Sequence, residues 1–172
     1  MKTIIAVIIV FVAAGPIRNS ESRIRAPTRP IQVYSKTGQF MSIRPNGIVR
    51  PIRSKITGRP NLTSLINIVP VFGSKGQFVI KGLVTGLFVK INPRNGKLRA
   101  VPFEAQATHF IEENIKNNFQ SYTLAKNRNC RLAINKFSFR IQCQRNIKLQ
   151  RISFLPRRTH VPRNLRLSGR NA

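Results

Sequence analysis

From Ile31 to Pro156 the chain alternates short apolar runs with turn signals, and no window carries a sustained helical stripe. The runs span 32–35, 39–44, 48–52, 64–72, 77–84, 87–92, 97–101, 109–116, 121–126, 131–135, 139–142 and 152–155. Read as strands, they make an all-β core of twelve. Gly38, Asn46-Gly47, Gly73, Gly76, Gly86 and Asn95-Gly96 punctuate the runs. Asn-Gly is a strong hairpin signal because both residues tolerate positive φ.

A weak internal repeat lies beneath this punctuation. Gly38-Gln39-Phe40-Met41-Ser42-Ile43 is echoed by Gly86-Leu87-Phe88-Val89-Lys90-Ile91 and by Asn129-Cys130-Arg131-Leu132-Ala133-Ile134. In each copy an apolar pair two residues apart (Met41/Ile43, Val89/Ile91, Leu132/Ile134) points to one face of a strand. Three such units around a pseudo-threefold axis give a barrel with few open edges, and the fold expected is a β-trefoil. An immunoglobulin-like sandwich wants about seven strands and often a Cys…Trp…Cys core. This chain has no Trp, and its two Cys are close together.

The ends differ from this core. Met1 and Lys2 precede an apolar run from Ile4 to Ala14 that closes on Ala13, Ala14 and Gly15, the layout of a secretory signal peptide. The run falls short of the roughly 20 apolar residues that cross a bilayer, and no later segment approaches that length. The expected organisation is a leader over 1–15, a flexible basic arm over 16–31, the trefoil over 32–156 and a basic disordered tail over 157–172. The product is expected to be secreted, with no membrane span.

Charge then narrows the partners. Lys and Arg total 31 against four acidic residues, a formal net charge of +27 that demands a polyanion. Export favours sulfated glycosaminoglycans over nucleic acid. There is no Asp, and Glu21, Glu104, Glu112 and Glu113 are the only carboxylate side chains. Paired-carboxylate hydrolysis and carboxylate-held metals therefore have almost nothing to draw on. His109 and His160, the only imidazoles, lack zinc-ligand spacing. No enzymatic activity, metal or cofactor is expected.

The segment from Val33 to Pro156 resembles the fibroblast growth factors. Tyr34-Ser35-Lys36-Thr37-Gly38 with Phe40, Ile43, Pro45 and Gly47 is similar to that family's first hairpin, and Phe78-Val79-Ile80-Lys81-Gly82 to its central strand. The most specific stretch runs Gly96-Lys97-Leu98-Arg99-Ala100, then Ala107-Thr108-His109-Phe110-Ile111-Glu112, then Phe119. The family has Cys where Thr108 stands and Tyr where Phe119 stands. The first change should cost only packing, and the second removes a hydroxyl at a position that the resemblance places against a receptor. Ile152-Ser153-Phe154-Leu155-Pro156 resembles the closing strand.

The resemblance implies a receptor tyrosine kinase of the fibroblast growth factor receptor type as partner, with heparan sulfate or heparin as co-ligand. It places Tyr34, Asn117, Asn118, Phe119 and Leu155 on the receptor face, with Glu112 as a charged contact. From the residues alone, Tyr34, Phe119 and Leu155 read as ordinary core. It places Lys136, Arg140, Arg145, Lys148 and Arg151 in the heparin site, approached by Lys36. The family's Gly-rich loop is replaced here by Cys143, Asn146 and Ile147, which alters the expected sulfate geometry. A secreted glycan binder or receptor-occupying decoy is the alternative to an agonist.

Two further features concern the surface. A two-residue Lys136-Phe137 turn would set Cys130 opposite Cys143, within disulfide geometry, while one extra turn residue would leave two free thiols. Both outcomes stay open. Asn61-Leu62-Thr63 is an N-glycosylation sequon in a Pro- and Gly-containing stretch that reads as a surface loop.

Overall fold

The computed structural model describes residues 30–53, 61–135, 137–143 and 148–158. Expectations for the leader, for most of the arm and for the tail beyond Arg158 fall outside the described residues. The strands are β1 (Ile31–Ser35), β2 (Gln39–Ile43), β3 (Val49–Arg53), β4 (Ile66–Pro70), β5 (Gln77–Gly82), β6 (Phe88–Ile91), β7 (Leu98–Val101), β8 (Phe110–Asn114), β9 (Gln120–Leu124), β10 (Asn127–Asn135), β11 (Ser138–Gln142) and β12 (Phe154–Arg158). All twelve expected strands are present, and the only α-helix among the described residues is the single turn α1 (Leu149–Ile152).

Pairing closes six of the strands into a ring. β1 pairs β4, β4 pairs β5, β5 pairs β8, β8 pairs β9, β9 pairs β12, and β12 returns to β1, every pair antiparallel. The other six form the hairpins β2–β3, β6–β7 and β10–β11 at one end of the ring. Each run of four consecutive strands therefore gives two to the barrel and two to the cap. This is a β-trefoil.

The period-two alternation explains the interior. Met41, Val89 and Leu132 are fully buried in one cluster with Val33, Ile43, Ile80, Phe110 and Phe154. The repeat noticed in the sequence therefore converges on a common core. Aromatic rings of the barrel strands pack in series: Phe78 lies 5.5 Å from Tyr122 edge-on, and Tyr122 lies 5.6 Å from Phe154 in a stack. Such pairs contribute roughly 0.5–1.5 kcal/mol each beyond area burial.

The hairpins also dock on one another through their turns. Gly47, at φ 78°, accepts a hydrogen bond from Ala100 N–H of β7 at 2.7 Å, and Gly96, at φ 66°, accepts one from Ile141 N–H of β11 at 2.8 Å. A Cβ on Gly47 would come within 3.0 Å of the Ala100 carbonyl oxygen. Glycine therefore satisfies both the turn and the close approach.

Several boundaries differ from the sequence expectation. The run from Ser64 begins instead as a 3-10 turn over Leu62–Ser64, because Asn61 Oδ1 accepts from Thr63 N–H at 3.0 Å and caps it. Ile152 belongs to α1, where Ser153 Oγ donates to Leu149 O at 2.5 Å, so the closing strand starts at Phe154. Ile31, assigned to the arm, and Arg157 and Arg158, assigned to the tail, lie in paired strands: Ile31 faces Arg158, and Gln32 faces Arg157. Charge and Pro content made these termini read as unstructured, but each strand supplies the other with a ladder partner.

Candidate functional site

Where β1, β12 and β9 lie side by side, three side chains meet in one row. Tyr34 pairs with Leu155, while Phe154 pairs with Gln120 on its other side. One step along the antiparallel register brings Leu155 beside Phe119, so Tyr34, Leu155 and Phe119 align across neighbouring strands. All three are half-buried. Tyr34 also packs on Phe40 at a centroid distance of 4.9 Å.

Each aromatic of this row carries a cation. The Arg157 guanidinium lies 4.3 Å from the Tyr34 ring centroid, and Lys36 Nζ lies 5.7 Å from that of Phe119. Contacts of this kind are worth about 0.5–1 kcal/mol at exposed sites. Arg157 was not among the expected site residues. Continuing the alternation of β12 past Pro156 would have placed it opposite Gln32, next to Tyr34.

Asn117 and Asn118 border the row. Both hold left-handed backbone, at φ 62° and φ 61°, and Ile115 N–H donates to Phe119 O at 2.7 Å to close the loop. Asn is among the few non-glycine residues found readily in this region. The loop backbone thus carries two exposed asparagines immediately before Phe119.

Glu112 stands on β8 opposite Tyr122. Its side chain reaches solvent, yet partial burial raises its carboxyl above the usual glutamate range. Burial, and secondarily the charge of Glu112, pushes the Tyr122 phenol well above its ordinary value. Tyr122 Oη is buried with no hydrogen-bond partner. Neighbouring Glu113 is engaged differently, accepting from Arg131 at 3.5 Å.

The expected glycan cations separate into groups. Lys36 is exposed in the β1–β2 turn, and its backbone N–H donates to Ser153 O at 3.0 Å, which ties that turn to the segment just after α1. Lys148, at the N-terminal cap of α1, and Arg151, on α1, are both exposed and are joined by Arg151 N–H to Lys148 O at 2.9 Å. Lys36, Lys148 and Arg151 are thus brought to one flank. Arg140 lies on β11 opposite Ala133, and its backbone forms an isolated antiparallel bridge with that of Lys97 in the neighbouring hairpin. Lys136 and Arg145 lie outside the described residues.

Cys130 and Cys143 are joined by a disulfide, their Cα atoms 3.9 Å apart. The pairs Asn135 with Ser138 and Arg131 with Gln142 set the register that brings them together. Asn61 is exposed, its Oδ1 accepting from both the N–H and the hydroxyl of Thr63. Among the described residues no three of His, Cys, Asp and Glu form a group able to hold a metal ion. No helix among them is long and apolar enough to cross a membrane.

The closed ring and its three hairpins define the class, a β-trefoil. Residues 29–153 match the sequence profile of the family described as Fibroblast growth factor, well over half of the chain, and the chain belongs to that family. Its members are signalling ligands rather than enzymes, and the chain is accordingly growth-factor-like. Compared directly with curated protein sequences, it matches none.

Proposed function

We propose that this protein is a secreted ligand that binds and activates a fibroblast growth factor receptor tyrosine kinase, with heparan sulfate as co-ligand. The observation that carries this reading is the aligned row of Tyr34, Leu155 and Phe119 with Lys36 bound over its edge. An apolar and aromatic patch of this kind supplies anchors of the sort that dominate interfaces. Lys36 belongs at once to that row and to the flank that carries Lys148 and Arg151. One glycan chain running along the flank therefore reaches the edge of the receptor contact and raises the effective concentration of a second ligand and receptor. Arg140 and Arg157 extend the cationic surface, and planar guanidinium groups match sulfate oxygens in two-point contacts.

Receptor phosphorylation in responsive cells, measured with and without heparin, tests this. The expected outcome is phosphorylation that requires heparan sulfate. A folded protein that activates no receptor of the family, yet binds one, would instead be a receptor-occupying decoy.

A further inference from the structure

Asn61 holds the 3-10 turn over Leu62–Ser64 through one side-chain atom. Its Oδ1 accepts the Thr63 N–H at 3.0 Å and the Thr63 hydroxyl at 2.7 Å. That hydroxyl also lies 2.7 Å from the Oγ of Ser42, a fully buried residue of β2, so the turn is fastened to the first hairpin. Ser64 ties it a second time, donating from Oγ to the Asn61 carbonyl oxygen at 2.6 Å. Ser64 is buried, while Asn61 stays at the surface.

The two polar atoms of the Asn61 side chain are therefore used differently. Oδ1 is committed to the turn, whereas Nδ2 takes no part in these bonds. An N-linked sugar attaches to the amide nitrogen and leaves the carbonyl oxygen an acceptor, so the cap and a glycan can coexist on one asparagine. A turn held by the nitrogen would instead compete with the sugar. Sequence and space agree with this division. Of the 15 asparagines in the chain, Asn61 is the only one with Ser or Thr two places on. Beside it opens a cleft of about 480 Å³, lined also by Arg44, Pro45, Asn46 and Thr63. Pro45 and Asn46 are exposed there, and neighbouring Leu62 is 42% exposed, so a first saccharide meets both polar and apolar surface.

We infer that Asn61 carries an N-linked oligosaccharide on Nδ2 while its Oδ1 goes on capping the turn. The donor is a lipid-diphosphate-linked oligosaccharide. Nδ2 bonds to the anomeric carbon, the bond from that carbon to the diphosphate oxygen breaks, and the amide gives up one proton as the lipid diphosphate leaves. The inference rests on the secreted reading above, since this transfer belongs to the export route.

Expression of the full chain in cultured animal cells, with the intact mass of the protein read from the medium, tests it. The expected mass exceeds that of the polypeptide by one oligosaccharide, which peptide N-glycosidase removes while converting the residue to aspartate. Asn61→Gln and Thr63→Val each give the bare mass, and Thr63→Ser, which keeps a hydroxyl at that place, restores the glycan. The glycosylated protein is expected to melt higher than Asn61→Gln, because it retains its cap; a lower melting temperature would overturn the sharing of one side chain by cap and glycan. Parent protein in the medium with Asn61 unmodified overturns the inference and leaves secretion standing. A chain kept inside the cell without a glycan overturns the secreted reading and this inference together.

Discussion

Glu112 is placed where its surroundings work against its charge. Partial burial holds its carboxyl pKa above the ordinary value, so the ionised form is less favoured in the folded state than in the unfolded chain. For an acid shifted upward, stability is greatest below the unfolded pKa and declines as pH rises through the folded pKa. Above the folded pKa the penalty is in force, and Glu112→Gln is expected to melt no lower there than the parent. If the carboxylate contacts the receptor, the same variant loses receptor affinity by tenfold or more. Paired melting and receptor-binding measurements check both halves, and a lower melting temperature would contradict the first. Thr108 shows the converse: its hydroxyl does more than fill space, because Oγ1 accepts from Ile91 N–H at 2.9 Å.

At the scale of elements, the β10–β11 hairpin is held at both ends, by the pair Asn135 with Ser138 and by the Cys130–Cys143 bridge. The bridge spans 13 residues of sequence, and closing a loop of about this length stabilises by roughly 3 kcal/mol on chain-entropy grounds. Cys130→Ser/Cys143→Ser is therefore expected to melt about 10 °C lower than the parent, measured by calorimetry without reductant. Every strand was legible in the sequence because alternation and Asn-Gly turns act locally. The 3-10 turn at Leu62–Ser64 and α1 were not, since each depends on a single side-chain hydrogen bond within a run that is otherwise apolar. The aromatic row was legible only by resemblance, because Tyr34, Leu155 and Phe119 come from distant segments and meet through register. Arg157 was hidden for a simpler reason: a basic stretch beside proline reads as unstructured until its partner strand is known.

For the whole molecule, stability concentrates on the axis where the three units meet. Leu132 is fully buried in the cluster shared with Met41 and Val89. Leu132→Ala is expected to cost about 2–5 kcal/mol in urea unfolding, because a cavity in a close-packed interior relaxes only partly. A loss below 1 kcal/mol would mean that the three units pack independently.

The seam between β1 and β12 sets a condition on biosynthesis. Five successive residue pairs, from Ile31 with Arg158 to Ser35 with Phe154, join strands from opposite ends of the described chain. Until the last of these residues has been made, β1 and β9 lack the neighbour that separates them, and each presents a bare edge able to recruit another copy. Closure of the ring consequently waits on the synthesis of β12, and a chain that stops short of Phe154 is expected to keep both edges bare.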